Sequence, residues 1–243
     1  MTERVAARRH AGVVRVTHWL IALAFVALLV TGVEILLSHP RFYWGEAGNV
    51  NMRPLFTLPV PSSRDTVPTG YKYVLPDQNG WSRYLHFEAA WVVVLCGLVY
   101  GVWGFLSGHF RRELFSGAQG GRLRFREVVG KSLRWEPVED EGAYNVAQRW
   151  SYVGVIFGLI PLMIWTGLAM SPSFTAAAPW SVELLGGRQS ARTIHFFATW
   201  VLVLFVMAHV AMVVHAGFRK KMRGMITGGA AVAEGPLRIE EQV

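Results

Sequence analysis

The sequence predicts an all-α integral membrane protein, a four-helix bundle with both the N and C termini in the cytoplasm. Hydrophobic residues make up 52% of its 243 positions, the mean hydropathy is +0.31, and only 16% of residues are charged. Four apolar runs each exceed the roughly 20 residues that a helix needs to cross a membrane. Backbone amides inside lipid must be satisfied within the segment, so these runs are predicted to be helices. They cover residues 16–37, 84–106, 150–170 and 194–214.

The net charge of +8 would suit a nucleic-acid partner, but the distribution of the basic residues argues against one. Lys and Arg number 4 before the first run, 8 in the central loop and 5 after the fourth run, against 5 and 2 in the other two loops. Cytoplasmic segments carry such an excess, which predicts a multi-pass membrane protein with both termini and the central loop in the cytoplasm. We expect a membrane domain over residues 1–223 and a cytoplasmic tail over residues 224–243.

A repeated segment is the most informative pattern in the chain. Residues 83–95 recur at 192–204, with Arg, His, Phe, Ala, Trp, Val, Val and Leu in register. Each copy places one histidine just inside the outer membrane boundary, where an ionisable group is costly and usually functional. A weaker match between Thr31-Gly32 and Thr166-Gly167 suggests that the first two spans correspond to the last two, as a parallel duplication.

The histidines of the spans sort by depth into two pairs. His195 and His209 are 14 residues apart, which is about 21 Å of helix rise and about 40° short of whole turns. They therefore share one face but lie at opposite membrane surfaces. His86 matches the depth of His195, and His18 matches that of His209. The sequence predicts an outer pair, His86 with His195, and an inner pair, His18 with His209.

Two imidazoles without a nearby carboxylate or thiolate favour a b-type haem, because zinc usually takes three or four protein ligands. The metal ligands would be His18, His86, His195 and His209, and the cofactors two haems b. The lone Cys96 excludes an internal disulfide, a CxxCH attachment and a four-cysteine iron–sulfur site within the chain. The alternative is that each interfacial histidine is structural.

An arginine precedes three of these histidines by one helical turn toward the headgroups. Arg15, Arg83 and Arg192 could supply counter-charges for haem propionates. Long cationic side chains also anchor helices at the membrane interface by snorkelling, and the pattern leaves both interpretations open.

Two amides lie just before the third span, at the predicted inner surface. Asn145 and Gln148 are three residues apart, on one helical face, and could donate hydrogen bonds to a quinone carbonyl near the inner pair. Capping of the helix by Asn145 is the competing explanation. The pattern alone does not choose between them.

Three other features have two interpretations each. The long, Pro-rich outer loop, residues 38–83, could dock a partner or only cap the helix ends. Interleaved basic and apolar residues at 122–135 suit an interfacial helix on anionic lipid. Gly97, Gly101, Gly104 and Gly108 would let either a neighbouring helix or a flat cofactor approach the second span. Pro161 is expected to kink the third span.

With the histidines placed, the chain resembles the four-helix diheme cytochrome b family, over roughly residues 8–219. This family includes bacterial cytochrome b561, nickel–iron hydrogenase b-subunits, formate dehydrogenase gamma subunits and thiosulfate reductase cytochrome b. The resemblance rests on the segments around His18, Thr31-Gly32, His86, Tyr144–Arg149 and the His195/His209 spacing. The segment 39–46 looks most like the thiosulfate-reductase branch.

The resemblance implies a diheme membrane cytochrome that transfers electrons between a periplasmic oxidoreductase, commonly a molybdopterin enzyme, and membrane quinone. It also implies that Asn145 and Gln148 lie at the quinone pocket, and that the expected partners are this enzyme, quinone and lipid, not nucleic acid. Two alternatives remain open. One is a stand-alone quinone reductase that oxidises a diffusible reductant such as superoxide, and the other is a haem-free membrane anchor or transporter.

Overall fold

The computed structural model describes residues 10–49, 51–60, 66–67, 71–72, 78–114, 130–131, 134 and 146–228. Four helices in these ranges are long and apolar enough to cross a membrane, so the predicted all-α membrane bundle is confirmed. They cover Gly12–Ser38, Gly80–Leu106, Arg149–Ala169 and Arg188–His215. Because their surfaces face lipid, only 6 to 17% of the most apolar stretch of each helix is buried within the protein.

The four spans form two halves. Helix α1 (Gly12–Ser38) packs along α2 (Gln78–Leu106), and the third span packs along the fourth, α7 (Arg188–His215). The third span consists of α3 (Val146–Gly154), one π-helical turn and α4 (Ile160–Ala169). Below, the end of the bundle that carries the loop after α1 is called the outer end, and the opposite end is called the inner end.

The third span changes its helix type just before its proline. A π-helical turn covers Val155–Leu159, and Pro161 follows at the start of α4. Proline offers no backbone N–H and its ring crowds the preceding turn, so a regular α-helix would be strained here. The wider turn relieves this crowding; the sequence predicted a kink at Pro161, and the structure has a change of helix type there.

The outer end is covered by short elements. After α1, strand β1 (Arg41–Phe42) pairs antiparallel with β2 (Phe56–Thr57). A second antiparallel pair joins β3 (Thr66–Val67) and β4 (Tyr71–Lys72). Between the third and fourth spans lie the short helices α5 (Pro172–Ala177) and α6 (Pro179–Leu184). The core of this cap is a buried apolar cluster formed by Ala169, Val182, Leu185 and Ala191.

The outer loop is bound tightly to the start of α7. Phe42 is 2% exposed and its ring lies 4.6 Å from that of Phe196. The hydroxyl of Thr193 donates to the carbonyl of Tyr43 at 2.8 Å. Gly187 has φ +103°, and a Cβ there would fall 2.6 Å from the backbone of residues 45 and 46, so glycine is required for this approach. The loop thus caps α7 in its described part.

The inner end is closed by a helix that returns to the start of α1. Helix α8 (Phe218–Thr227) ends at Gly228, which has φ +74°. The guanidinium of Arg15 donates to the carbonyl of Ile226 at 2.7 Å, and the indole of Trp19 donates to that of Met225 at 3.2 Å. The predicted boundary at residue 223 falls inside this helix. Most of the basic segment 122–135 lies outside the described residues.

Candidate metal centres

The outer pair of histidines faces across the two halves of the bundle. His86 lies on α2 and His195 on α7, and their ring centroids are 6.5 Å apart with an angle of 60° between the planes. The predicted depth match therefore brings these two side chains together. Each belongs to one copy of the repeated segment, so the repeat corresponds to one ligand position in each half.

The inner pair has nearly the same geometry at the other end of the same helix. The ring centroids of His18 on α1 and His209 on α7 are 6.3 Å apart, at an interplanar angle of 52°. Aromatic rings surround them: Trp19 lies 5.2 Å from His18, Tyr152 lies 6.2 Å from His209, and Phe205 stacks on His209 at 6.0 Å. The pair lies in an apolar, aromatic environment.

The spacing of both pairs matches two imidazoles bound to one metal ion. A metal–imidazole bond is about 2.0–2.1 Å long, and each ring centroid lies about 1 Å beyond its nitrogen, so a linear arrangement places the centroids about 6 Å apart. The observed values are 6.5 and 6.3 Å. Within the described ranges, no group of three or more His, Cys, Asp or Glu side chains could hold a metal. Two donors suit an iron that a porphyrin already binds.

Two threonines that sequence analysis noted only as a repeat contact the outer histidines. The hydroxyl of Thr31 lies 2.9 Å from Nδ1 of His86, and that of Thr166 lies 2.9 Å from Nδ1 of His195. Each contact joins neighbouring helices of one half. The matching pairs of contacts agree with the duplication that the Thr-Gly repeat suggested. In the sequence, the Thr-Gly repeat was the only signal for these threonine–histidine contacts.

Two glycines lie beside the rings of the outer histidines, and two others leave open space along α2. A Cβ built on Gly32 would lie 3.7 Å from Cε1 of His86, and one on Gly167 would lie 3.6 Å from Cε1 of His195. No heavy atom lies within 4 Å of a Cβ built on Gly97 or Gly101. Gly97 is about 20° from the face of His86 and about 16 Å further inward, near the depth of the inner pair.

Gly97 and Gly101 therefore leave open space beside α2, which larger side chains would occupy. Not all of the four glycines predicted to allow close approach to α2 lie beside open space. A Cβ on Gly104 would collide with the ring of Phe110, so this glycine serves helix packing at the inner end. Phe110 in turn lies 5.1 Å from Phe157 of the third span.

The three predicted arginines have different surroundings. The guanidinium of Arg192 donates to the carbonyls of Arg41, at 3.0 Å, and His39, and lies 4.8 Å from the ring centroid of Phe42. Arg15 bonds the carbonyl of Ile226, while its Nε atom is buried with no hydrogen-bond partner among the described atoms. Arg83 is exposed at the start of α2.

The structure describes only part of the predicted quinone-binding segment. Asn145 lies outside the described residues, and only the backbone of Gln148, in α3, is described. One turn further along, Tyr152 of the same helix contacts the ring of His209. The turn of α3 that follows Gln148 therefore adjoins the inner histidine pair.

Four apolar spans with two facing histidine pairs are the architecture of a membrane cytochrome b. The chain belongs to the prokaryotic cytochrome b561 family, whose model matches residues 9–228. It is therefore a multi-pass protein of the bacterial inner membrane with the electron-transfer role of a membrane cytochrome b, a class named for haem b.

Curated relatives fall into two named groups. The chain is 30% identical over 203 residues to a protein of Azospira oryzae assigned as the protein-methionine-sulfoxide reductase subunit YedZ1, covering 82% of this chain and 86% of the relative. It is 29% identical over 226 residues to a Ni/Fe-hydrogenase B-type cytochrome subunit of Cupriavidus necator, covering 87% and 78%. A Ni/Fe-hydrogenase 1 B-type cytochrome subunit of Escherichia coli is 26% identical over 214 residues, covering 82% and 78%.

Proposed function

We propose that this protein binds two b haems and transfers electrons between an oxidoreductase at the outer face and quinone near the inner face. The observation that carries the proposal is the two histidine pairs, with ring separations of 6.5 and 6.3 Å, each of which has one member on α7. Two sites separated by about 21 Å along the helix would span most of the hydrocarbon thickness.

Each proposed site has a defined set of residues. His86 and His195 would hold the outer haem, His18 and His209 the inner one, and the haems would supply one-electron redox chemistry. The protein would supply two imidazoles to each haem, and aromatic side chains surround the inner pair. Arg15, Arg83 and Arg192 lie one turn before three of the ligands, where cations can balance propionate charge. The carbonyl bonds of Arg15 and Arg192 hold these two cations at the ends of the helices.

The proposal predicts two haems per chain. Pyridine hemochrome quantification of the purified protein should approach a ratio of two, and the reduced-minus-oxidised spectrum should show b-type haem. The basis is that both histidine pairs have the same metal-compatible separation. A ratio near one at full occupancy would eliminate one pair as a site, and a protein without a b-type spectrum would support the anchor or transporter alternative.

The outer face is the proposed docking side for the partner, with both termini in the cytoplasm. Hydrogen bonds from Arg192 and Thr193 hold the first residues of the loop after α1, at Arg41 and Tyr43, against the start of α7. The loop exposes 58% of Trp44, and α6 exposes 64% of Trp180 and 69% of Leu184, which are the apolar side chains that interfaces bury. The relatives are named as subunits of hydrogenases and of a methionine-sulfoxide reductase. These names support an oxidoreductase partner for this chain.

Two observations favour different classes of partner enzyme. The resemblance of segment 39–46 to the thiosulfate-reductase branch favours a molybdopterin enzyme, and the relatives named as hydrogenase subunits favour a nickel–iron enzyme. Affinity purification of the tagged protein from its native membrane, with molybdenum and nickel measured in the eluate, distinguishes the two. Elution without any second subunit would instead support the stand-alone quinone reductase.

The quinone site is proposed at Asn145 and Gln148, because the following turn of α3 places Tyr152 against His209. Asn145→Ala and Gln148→Ala should keep both haems but bind quinone several-fold more weakly, since one neutral hydrogen bond contributes about 0.5–1.5 kcal/mol. The measurement is reoxidation of the pre-reduced protein by limiting quinone. Wild-type reoxidation in both variants would leave these residues as helix caps and move the quinone site elsewhere.

A further inference from the structure

We propose that Thr31 and Thr166 are positioning residues that fix the tautomer and direction of the two outer histidines. This inference rests on the proposed function, because it assumes that His86 and His195 bind a haem iron. Both threonines are completely buried, at 0% exposure, and each contacts the histidine of the neighbouring helix in its own half. The threonines determine which ring nitrogen of each outer histidine carries the proton.

The proton of each threonine hydroxyl already has an acceptor. The hydroxyl of Thr31 donates to the carbonyl of Ala27 at 2.7 Å, and that of Thr166 donates to the carbonyl of Leu162 at 2.7 Å. A hydroxyl has a single proton to donate, so towards the imidazole its oxygen can only accept. The bond at 2.9 Å must therefore run from the histidine Nδ1–H to the threonine oxygen.

The consequence is one tautomer for both outer histidines. With Nδ1 protonated, the Nε2 atom keeps its lone pair, which is the form that a metal binds. Each ring lies beside the glycine that follows the threonine, since a Cβ built there would be in van der Waals contact with Cε1, at 3.7 Å for Gly32 and 3.6 Å for Gly167. Each half thus orients its own imidazole, and the two rings meet across the bundle in a form ready for axial ligation.

Among the described residues, His18 of the inner pair has no equivalent contact on α1. Thr17, next to His18, is also buried, but its hydroxyl donates to the carbonyl of Val13 at 2.7 Å and no bond to a histidine accompanies it. Nδ1 of His18 is buried with no hydrogen-bond partner among the described atoms. An acceptor that takes a hydrogen bond from the ring N–H of a histidine ligand raises the basicity of that ligand. With a haem bound, the threonines would therefore favour the oxidised form of the outer site and lower the potential of this site only.

The test replaces each threonine in two ways. Thr31→Val and Thr166→Val keep the shape of the side chain but remove the hydroxyl acceptor, whereas Thr31→Ser and Thr166→Ser keep the hydroxyl. Thr17→Val is the matched control, because it deletes a buried hydroxyl bonded only to its own helix. Potentiometric titration of the full-length protein measures both haems, and electron paramagnetic resonance reports their ligation. We expect the valine variants to raise the outer potential and to release the outer haem about 10- to 100-fold more readily. Serine should restore wild-type behaviour, and Thr17→Val should change neither haem.

The outcomes separate this inference from the proposed function. If the valine variants keep both haems at wild-type potentials, the threonines do not act on the ligands, while the haem assignment stands. Equal shifts of both haems, or loss of both, would also overturn the inference, since the contacts lie only at the outer pair. If His86→Ala and His195→Ala leave the outer haem in place, the proposed function itself is wrong.

Discussion

His86→Ala and His195→Ala are expected to remove the same haem, and His18→Ala and His209→Ala the other. Each pair has its rings in position to bind one iron from opposite sides, and loss of one imidazole leaves an open coordination position. Redox titration of the four variants should therefore show one remaining component in each. The two outer variants should share one residual midpoint potential, and the two inner variants should share a different one.

His215→Ala is the matched control for this experiment. This residue lies on the same helix as two of the ligands but is exposed near the inner end, and it belongs to neither pair. Its variant should keep both haems. If the His86→Ala and His209→Ala variants instead lost the same haem component in the titration, the arrangement of the four helices would be incorrect.

Gly97→Leu is expected to remove the inner haem without changing any ligand. A Cβ at this position meets no heavy atom within 4 Å, and the residue shares the face of α2 that carries His86. A leucine side chain would occupy the space that a planar ring needs between the halves. Haem content should fall from two per chain to one, with the outer component unchanged in the titration.

Leu95→Phe provides the control for added bulk in the same helix. Leu95 is 58% exposed and lies on the opposite side of α2 from His86, at about 180°, so the extra atoms should meet lipid. This variant should retain both haems. Full occupancy of both sites in Gly97→Leu would show that the glycine face of α2 does not border the cofactor.

Much of the fold followed from simple regularities in the sequence. The length and composition of the apolar runs predicted all four spans, because lipid imposes helical structure on any segment of this kind. Pro161 predicted a kink in the third span, and the structure shows a π-helical turn at Val155–Leu159 just before this proline. The arrangement of the short outer elements did not follow, since it depends on contacts such as Phe42 with Phe196, which join residues far apart in the chain.

The histidine pairs could be predicted because helical geometry converts a spacing of 14 residues into a depth and a face. The threonine contacts could not, since they require two helices to approach within hydrogen-bond distance. The same holds for Arg192, whose sequence position suggested only a cation near the interface, while the structure places it on the carbonyls of Arg41 and His39. The roles of Asn145 and Gln148 stay predictions.

The division of the bundle into halves has a consequence for how the protein assembles. Each half can form as a helical hairpin in the bilayer, closed by its own threonine–histidine hydrogen bond. Both proposed ligand pairs, however, take one histidine from each hairpin. Cofactor binding would then join two separately inserted units, and its binding free energy would become folding free energy. We expect cells depleted of haem to accumulate inserted chains whose hairpins are not yet docked and are readily degraded.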